Sequence, residues 1–294
     1  MALLFTASLV NGQETLYKTV KVDGLNIFYR EAGSPDSPTI LFLHGFPSSS
    51  RMFQGLFPLL AGHYHLIAPD YPGFGHSDAP PASTFKYTFD HLADVMADFA
   101  KAIALPACAI YMQDYGGPVG MRLITSQRIE VSSIIIQNAV MHEEGLSPLW
   151  ETRRAFWKDR AANEESLRKN FSSLEATRQR HIGATPHPEL IDPDTWTDEY
   201  AFLTRPGQPE IQADLFYDYQ TNVAFYPSWQ YWLQKHRPRM LVVWGKYDRS
   251  FSVAGALAYK RDFPFSELEL LDAGHFALDE ATPQIAEKIR GFVK

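Results

Sequence analysis

The sequence predicts an α/β fold: a mostly parallel central sheet flanked by helices, with a helical cap inserted between two parts of the core. Three observations carry this. Short, continuous apolar runs such as Thr39–Leu43, Val131–Gln137 and 240–244 read as strands covered on both faces. Segments of helical period lie between them, and strands joined through helices pair in parallel. From about 141 to 226 the alternation gives way to charged helical stretches, aromatic residues and proline turns, and it resumes at Met240. The core is therefore expected to be discontinuous, 1–140 with 229–294, and the cap to occupy 141–228.

Taken in order, residues 17–30 alternate like two half-buried strands around the turn Asp23-Gly24, and Thr39–Leu43 is the third strand. A Gly/Pro/Ser loop leads to a helix near 51–60, a strand near 64–68, and the loop from Asp70 to Ser77. Leu92, Val95, Met96, Phe99 and Ile103 then recur at helical spacing. Next come a strand at 107–113, a helix from Gly116 and the strand Val131–Gln137. Within the cap, 150–170 reads as helix. After it follow a strand at 240–244, a helix near 253–261, a strand at 268–271 and a closing helix near 282–293.

Composition narrows the function. The chain has 294 residues, with 27 Lys and Arg against 34 Asp and Glu, a formal net charge of -7. A polyanion is repelled on average, so neither nucleic acid nor an anionic membrane is the expected partner. The single cysteine, Cys108, sits in an apolar run and reads as a core thiol. The opening MALLFTASLV is too short to span a bilayer and lacks the basic start of a signal peptide. A cytoplasmic enzyme is expected, with a secreted precursor as the alternative, as a monomer or a homodimer.

In open parallel sheets ligands collect beyond the carboxyl ends of the strands. Just past one such end lies Gln113-Asp114-Tyr115-Gly116-Gly117, a sharp strand-to-helix turn with the shape of a nucleophile elbow carrying Asp. Trp244-Gly245-Lys246-Tyr247-Asp248 and Gly274-His275-Phe276 follow two later strands, giving the order nucleophile, acid, histidine. His44-Gly45-Phe46-Pro47 follows the third strand, so the backbone N–H groups of Phe46 and Tyr115 are the expected oxyanion donors. Singly, each has a plain structural reading: Asp114 or Asp248 as a helix cap, His44 as a hydrogen-bonding group. Together they define a site.

These motifs, with Asp70-Tyr71-Pro72-Gly73-Phe74-Gly75-His76-Ser77, resemble the haloalkane dehalogenase and epoxide hydrolase branch of the α/β-hydrolase fold, over nearly the whole chain. The resemblance implies a cofactor-independent hydrolase with no metal. Asp114 would form an alkyl ester, and His275, oriented by Asp248, would activate water to cleave it. Glu143 or Glu144 is the alternative triad acid. A His142, Glu143 and Glu144 metal site lacks ligand spacing. A neutral His275 is required, so activity is expected to fall below about pH 6.

The leaving group is less defined. The halide donors usual in dehalogenases are replaced here by Tyr115 and Phe46, which favours an epoxide opened to a diol, with haloalkane or haloacid dehalogenation as the runner-up and a ligand receptor without turnover as the rival class. Tyr217, upstream of Pro238, is similar to the second cap tyrosine of epoxide hydrolases and is the leading proton donor. Arg153 stands where the first would fall. Tyr219, Tyr200 and Tyr226 are substitutes, and Arg153 and Trp157 could bind fluoride or a haloacid carboxylate. Trp150 and His44 complete the substrate-binding candidates. The aromatic cap suggests a small hydrophobic substrate, with water as co-substrate. Met112, two before the nucleophile, stands where a small residue usually relieves crowding.

Overall fold

A computed structural model describes residues 14–171 and 173–294; the MALLFTASLV segment lies outside them. Eight strands form one sheet in the order β1-β2-β4-β3-β5-β6-β7-β8. The hairpin β1 (Leu16–Val22) and β2 (Leu25–Ala32) turns at Asp23 and Gly24, both at positive φ, and β2 pairs antiparallel with β4. From β3 (Thr39–Leu43) and β4 (His65–Pro69) onward every pairing is parallel, through β5 (Cys108–Gln113), β6 (Val131–Gln137), β7 (Met240–Gly245) and β8 (Glu267–Leu271).

The continuous apolar runs are explained by the period of two along each strand. Leu41, Leu43, Ile110, Met112, Ile134, Ile136 and Val242 join the core on one face, with α2 (Phe89–Ala102), α3 (Gly116–Thr125) and α9 (Val253–Asp262). Ile40, Phe42, Ala109, Tyr111, Ile135, Leu241 and Val243 join a second core with α1 (Phe57–Leu60) and α10 (Ala277–Phe292). Both faces are covered, so neither set needs a polar alternate. Cys108 is buried as expected, and burial pushes its thiol up to about 12.

Three boundaries differ from expectation. The helix near 51–60 is a 3-10 turn at Ser50–Phe53 followed, past Gly55, by the four-residue α1. The closing helix begins at Ala277 rather than 282, because α10 kinks at Ala281 and continues through Pro283. Between β6 and β7 the described residues form helices and 3-10 turns, with one isolated bridge from Leu146 to Phe251: α4 (Glu151–Lys158), α5 (Arg160–Phe171), α6 (Leu174–Ile182), α7 (Asp194–Leu203) and α8 (Gln208–His236). The division expected at 228/229 falls inside α8, which runs 29 residues through Pro227. No helix among the described residues is long and apolar enough to cross a membrane.

Candidate active site

The carboxyl ends of β3, β5, β6 and β7 converge, and the loop after β8 joins them. Asp114 follows β5 with φ 49, a left-handed backbone that projects its carboxylate from the elbow. Gln113 ends β5, and its Nε2 lies 3.0 Å from His275 Nε2. Met112 beneath the elbow is fully buried; a Cβ on Gly120 would lie 2.2 Å from its sulfur, so α3 has a glycine where the large side chain needs room. The expected crowding is relieved from the helix rather than the strand.

Asp114 Oδ1 accepts the Phe46 N–H at 2.9 Å, and the adjacent Tyr115 N–H also favours the charged carboxylate. Its Oδ2 is 3.7 Å from His275 Nε2. Burial raises the Asp114 carboxyl above its ordinary range against the opposing pull of His275 and the two N–H groups. His275 Nδ1 donates to Asp248 Oδ2 at 2.7 Å. Burial disfavours its charged form, but Asp248 and Asp114 outweigh this and raise its pKa above 6.5. The acid limb of a His275-dependent step in the free enzyme therefore belongs above the expected value near 6.

Asp248 is itself fixed. Its Oδ1 accepts the N–H groups of Ser250 at 2.7 Å and Phe251 at 2.9 Å, and Oδ2 accepts Asn138 Nδ2 at 2.8 Å. Asn138, at φ 42 just past β6, also accepts the Gly245 N–H at 2.9 Å. It ties the acid's loop to its neighbouring strand. The sequence alone assigns no role to Asn138, and it shows Gln113 only as part of the elbow motif. A polar residue tolerant of the left-handed region directly after a strand was the available signal.

Other expected residues lie elsewhere. Glu143 and Glu144 are exposed and pair with Arg154 and Arg261, so neither orients His275. His142 pairs with Asp262. His44 is fully buried, stacked on Tyr71 at 4.2 Å and accepting its N–H, and does not border the cavity. Tyr217 also turns away, edge-on to Phe156 and under the Arg160 guanidinium. The helical turn that directs Phe216 into the cavity carries the next residue out. Trp157 donates its indole N–H to the Phe216 carbonyl at 2.8 Å. Trp150 borders the cavity, with its N–H on the Ser250 carbonyl. Tyr219 and Tyr226 are buried with hydroxyls 3.4 Å apart, and Tyr200 does not line the cavity.

The cavity over Asp114 measures about 390 Å³. Phe46, Phe171, Phe216 and Trp150 line it with His275, and so do Arg153 and Arg180. Arg180, on α6, was not foreseen.

An acid at a strand-to-helix elbow, a backbone N–H on its carboxylate and a carboxylate-held histidine from a later loop thus stand together at the carboxyl ends of the sheet. A family profile described as the alpha/beta hydrolase fold matches residues 38–282, and the chain belongs to that family. It is 40% identical over 272 residues to the uncharacterized hydrolase YNR064C of Saccharomyces cerevisiae, covering 91% of this chain and 93% of that protein. It is 24% identical to epoxide hydrolase 3 of Xenopus tropicalis, covering 95% and 77% of the two chains. In fold it is similar to haloalkane dehalogenase DbeA from Bradyrhizobium elkani USDA94, with a TM-score of 0.80 at 20% identity, covering 95% and 98%.

Proposed function

We propose that this hydrolase displaces a leaving group from a saturated carbon through an ester of Asp114, and that the leaving group is a halide. The contact set of Asp114 carries the reading: Oδ1 is held by the Phe46 N–H, and Oδ2 stands 3.7 Å from His275 Nε2. Oδ2 attacks the carbon, the carbon–halogen bond breaks, and halide leaves with the bonding pair. His275 then takes a proton from water as its oxygen adds to Asp114 Cγ, and the Phe46 and Tyr115 N–H groups hold the resulting oxyanion. Collapse breaks the ester C–O bond, the imidazolium protonates the departing alkoxide, and Asp114 releases the remaining proton. The sum is organic halide and water to alcohol, halide and a proton.

Acid–base chemistry favours halide over epoxide oxygen. Halide departs without a proton, whereas an opened epoxide leaves as an alkoxide. Tyr217 lies outside the cavity, and the Tyr219 and Tyr226 hydroxyls face one another. Epoxide opening stands as a second reading on one observation: the Tyr115 hydroxyl is buried without a hydrogen-bond partner, and burial keeps it protonated. The likeness to epoxide hydrolase 3 suits that reading, and the fold of DbeA suits the first. Helices α4 to α8 serve as the cap that excludes bulk water. Short bromides and matched epoxides, with and without a carboxylate, should separate the two. Bromide release with little diol is expected; diol without bromide overturns the leaving-group assignment.

A further inference from the structure

The His275 ring lies closer to the residue before the nucleophile than to the nucleophile itself. Its Nε2 is 3.0 Å from Gln113 Nε2 and 3.7 Å from Asp114 Oδ2. Asp248 accepts from Nδ1, so in the neutral ring the proton sits on Nδ1 and Nε2 carries only a lone pair. A group at hydrogen-bond distance from that lone pair must donate, and the Gln113 amide is the donor. The other end of the amide gains nothing: Oε1 is buried without a partner, and a Cβ on Gly45 would lie 2.3 Å from it. A buried carbonyl left unpaired is a cost. An apolar side chain of the same length would avoid it and would forfeit the donor on His275.

The main chain of the histidine is held separately. Gln113 and Gln137 are register partners at the ends of β5 and β6. Gln137 Nε2 donates to the His275 carbonyl at 3.4 Å, and its Oε1 accepts the Tyr111 hydroxyl at 2.5 Å. With Gln137 on the backbone and Asp248 on Nδ1, Gln113 is what occupies the catalytic nitrogen. If it is removed, Asp114 Oδ2 is the partner at hand. An imidazolium paired to Oδ2 would tie up the electrons that attack carbon.

We propose that Gln113 is a positioning residue that insulates the nucleophile from the base: its amide N–H holds the Nε2 lone pair of His275 in the free enzyme and yields it to the hydrolytic water once Asp114 is esterified. The second half rests on the Asp114-ester reading; the first does not. Gln113 works against the charges around the ring. Asp248 from the loop after β7 and Asp114 from the elbow favour the imidazolium, while burial and His181 from α6 oppose it. Glu280 of α10 accepts the Gly274 N–H beside the ring, and Arg153 and Arg180 line the same cavity. To this balance Gln113 adds a donor that only the neutral ring can accept.

Gln113→Met removes the donor, and Gln113→Glu replaces it with an acceptor of the same shape. Each is checked by near-ultraviolet circular dichroism. The His275 ring is titrated by NMR in the free enzyme, and the bromide burst is followed by rapid quench with 2-bromopropionate and 1-bromopropane. In the Met variant the titration should move up by about half a pH unit or more. Its burst should slow about threefold or more near pH 7 and return to the parent rate at a pH above the new titration. The Glu variant, whose carboxylate accepts from the imidazolium, should titrate higher still and accumulate ester; it keeps the test open if the Met variant does not fold. A Met variant that titrates within about 0.2 pH unit of the parent, or lower, overturns the proposal. So does a burst slowed equally at every pH, which a purely structural loss would give, or a Glu variant that titrates no higher than the parent. If the parent releases no bromide from either compound, the halide reading fails while the NMR titration still decides the contact.

Discussion

Asp248→Asn is the sharpest probe of the triad. The carboxylate accepts four hydrogen bonds, from Ser250 at 2.7 Å, Phe251 at 2.9 Å, Asn138 at 2.8 Å and His275 at 2.7 Å. If the amide oxygen keeps the two backbone donors, its NH₂ faces Asn138 Nδ2 and His275 Nδ1. The imidazole escapes the clash by moving its proton to Nε2, which then has no lone pair for water. Loss of the base through the wrong tautomer is worth about 10³–10⁴ in rate, or about 4–5.5 kcal/mol of barrier. Attack by Asp114 uses neither group, so the first step should change only a few-fold. We predict that the variant releases one burst equivalent of bromide from 2-bromopropionate and then stalls as the ester, read by rapid quench and intact-protein mass spectrometry. A fall of less than about tenfold, or slow turnover without a burst, refutes the assignment of Asp248.

The raised His275 pKa has a second consequence. Asp114 contributes to holding His275 above 6.5, and esterification removes that charge. We predict that ester decay loses rate on acidification at a lower pH than His275 titrates in the free enzyme, measured by single-turnover decay and by NMR; an intermediate titrating higher contradicts the coupling. Gly45→Ala tests the oxyanion loop. A Cβ there would lie 2.3 Å from both Asp114 Cβ and Gln113 Oε1, so the loop must move and carry the Phe46 N–H with it. Loss of that donor should lower kcat by about 10²-fold or more at an unchanged fold; activity within threefold of the parent would place the N–H elsewhere.

The strands were legible because burial on both faces turns each central strand into an unbroken apolar run. The elbow was legible because Asp114 and Asp248 each stand just past such a run and His275 follows the edge strand β8, where the sheet itself fixes position. In the cap no sheet sets the frame. One residue along a helix rotates a side chain by about 100°, and that phase separates Tyr217, outside, from Phe216, inside. Arg180 sits in Leu174–Ile182, a stretch whose charge reads as a solvated surface helix; only the fold shows which of its arginines turns inward. The expected division at 228/229 fails because α8 continues through Pro227, a residue type that ordinarily ends a helix.

The covalent ester is tested most directly by oxygen exchange. In a single turnover with excess enzyme in water labelled with oxygen-18, the account predicts an alcohol carrying unlabelled oxygen drawn from Asp114, and label in the Asp114 carboxylate of the digested protein. Labelled product with an unlabelled Asp114 peptide would mean that water attacks the substrate directly, and would contradict it.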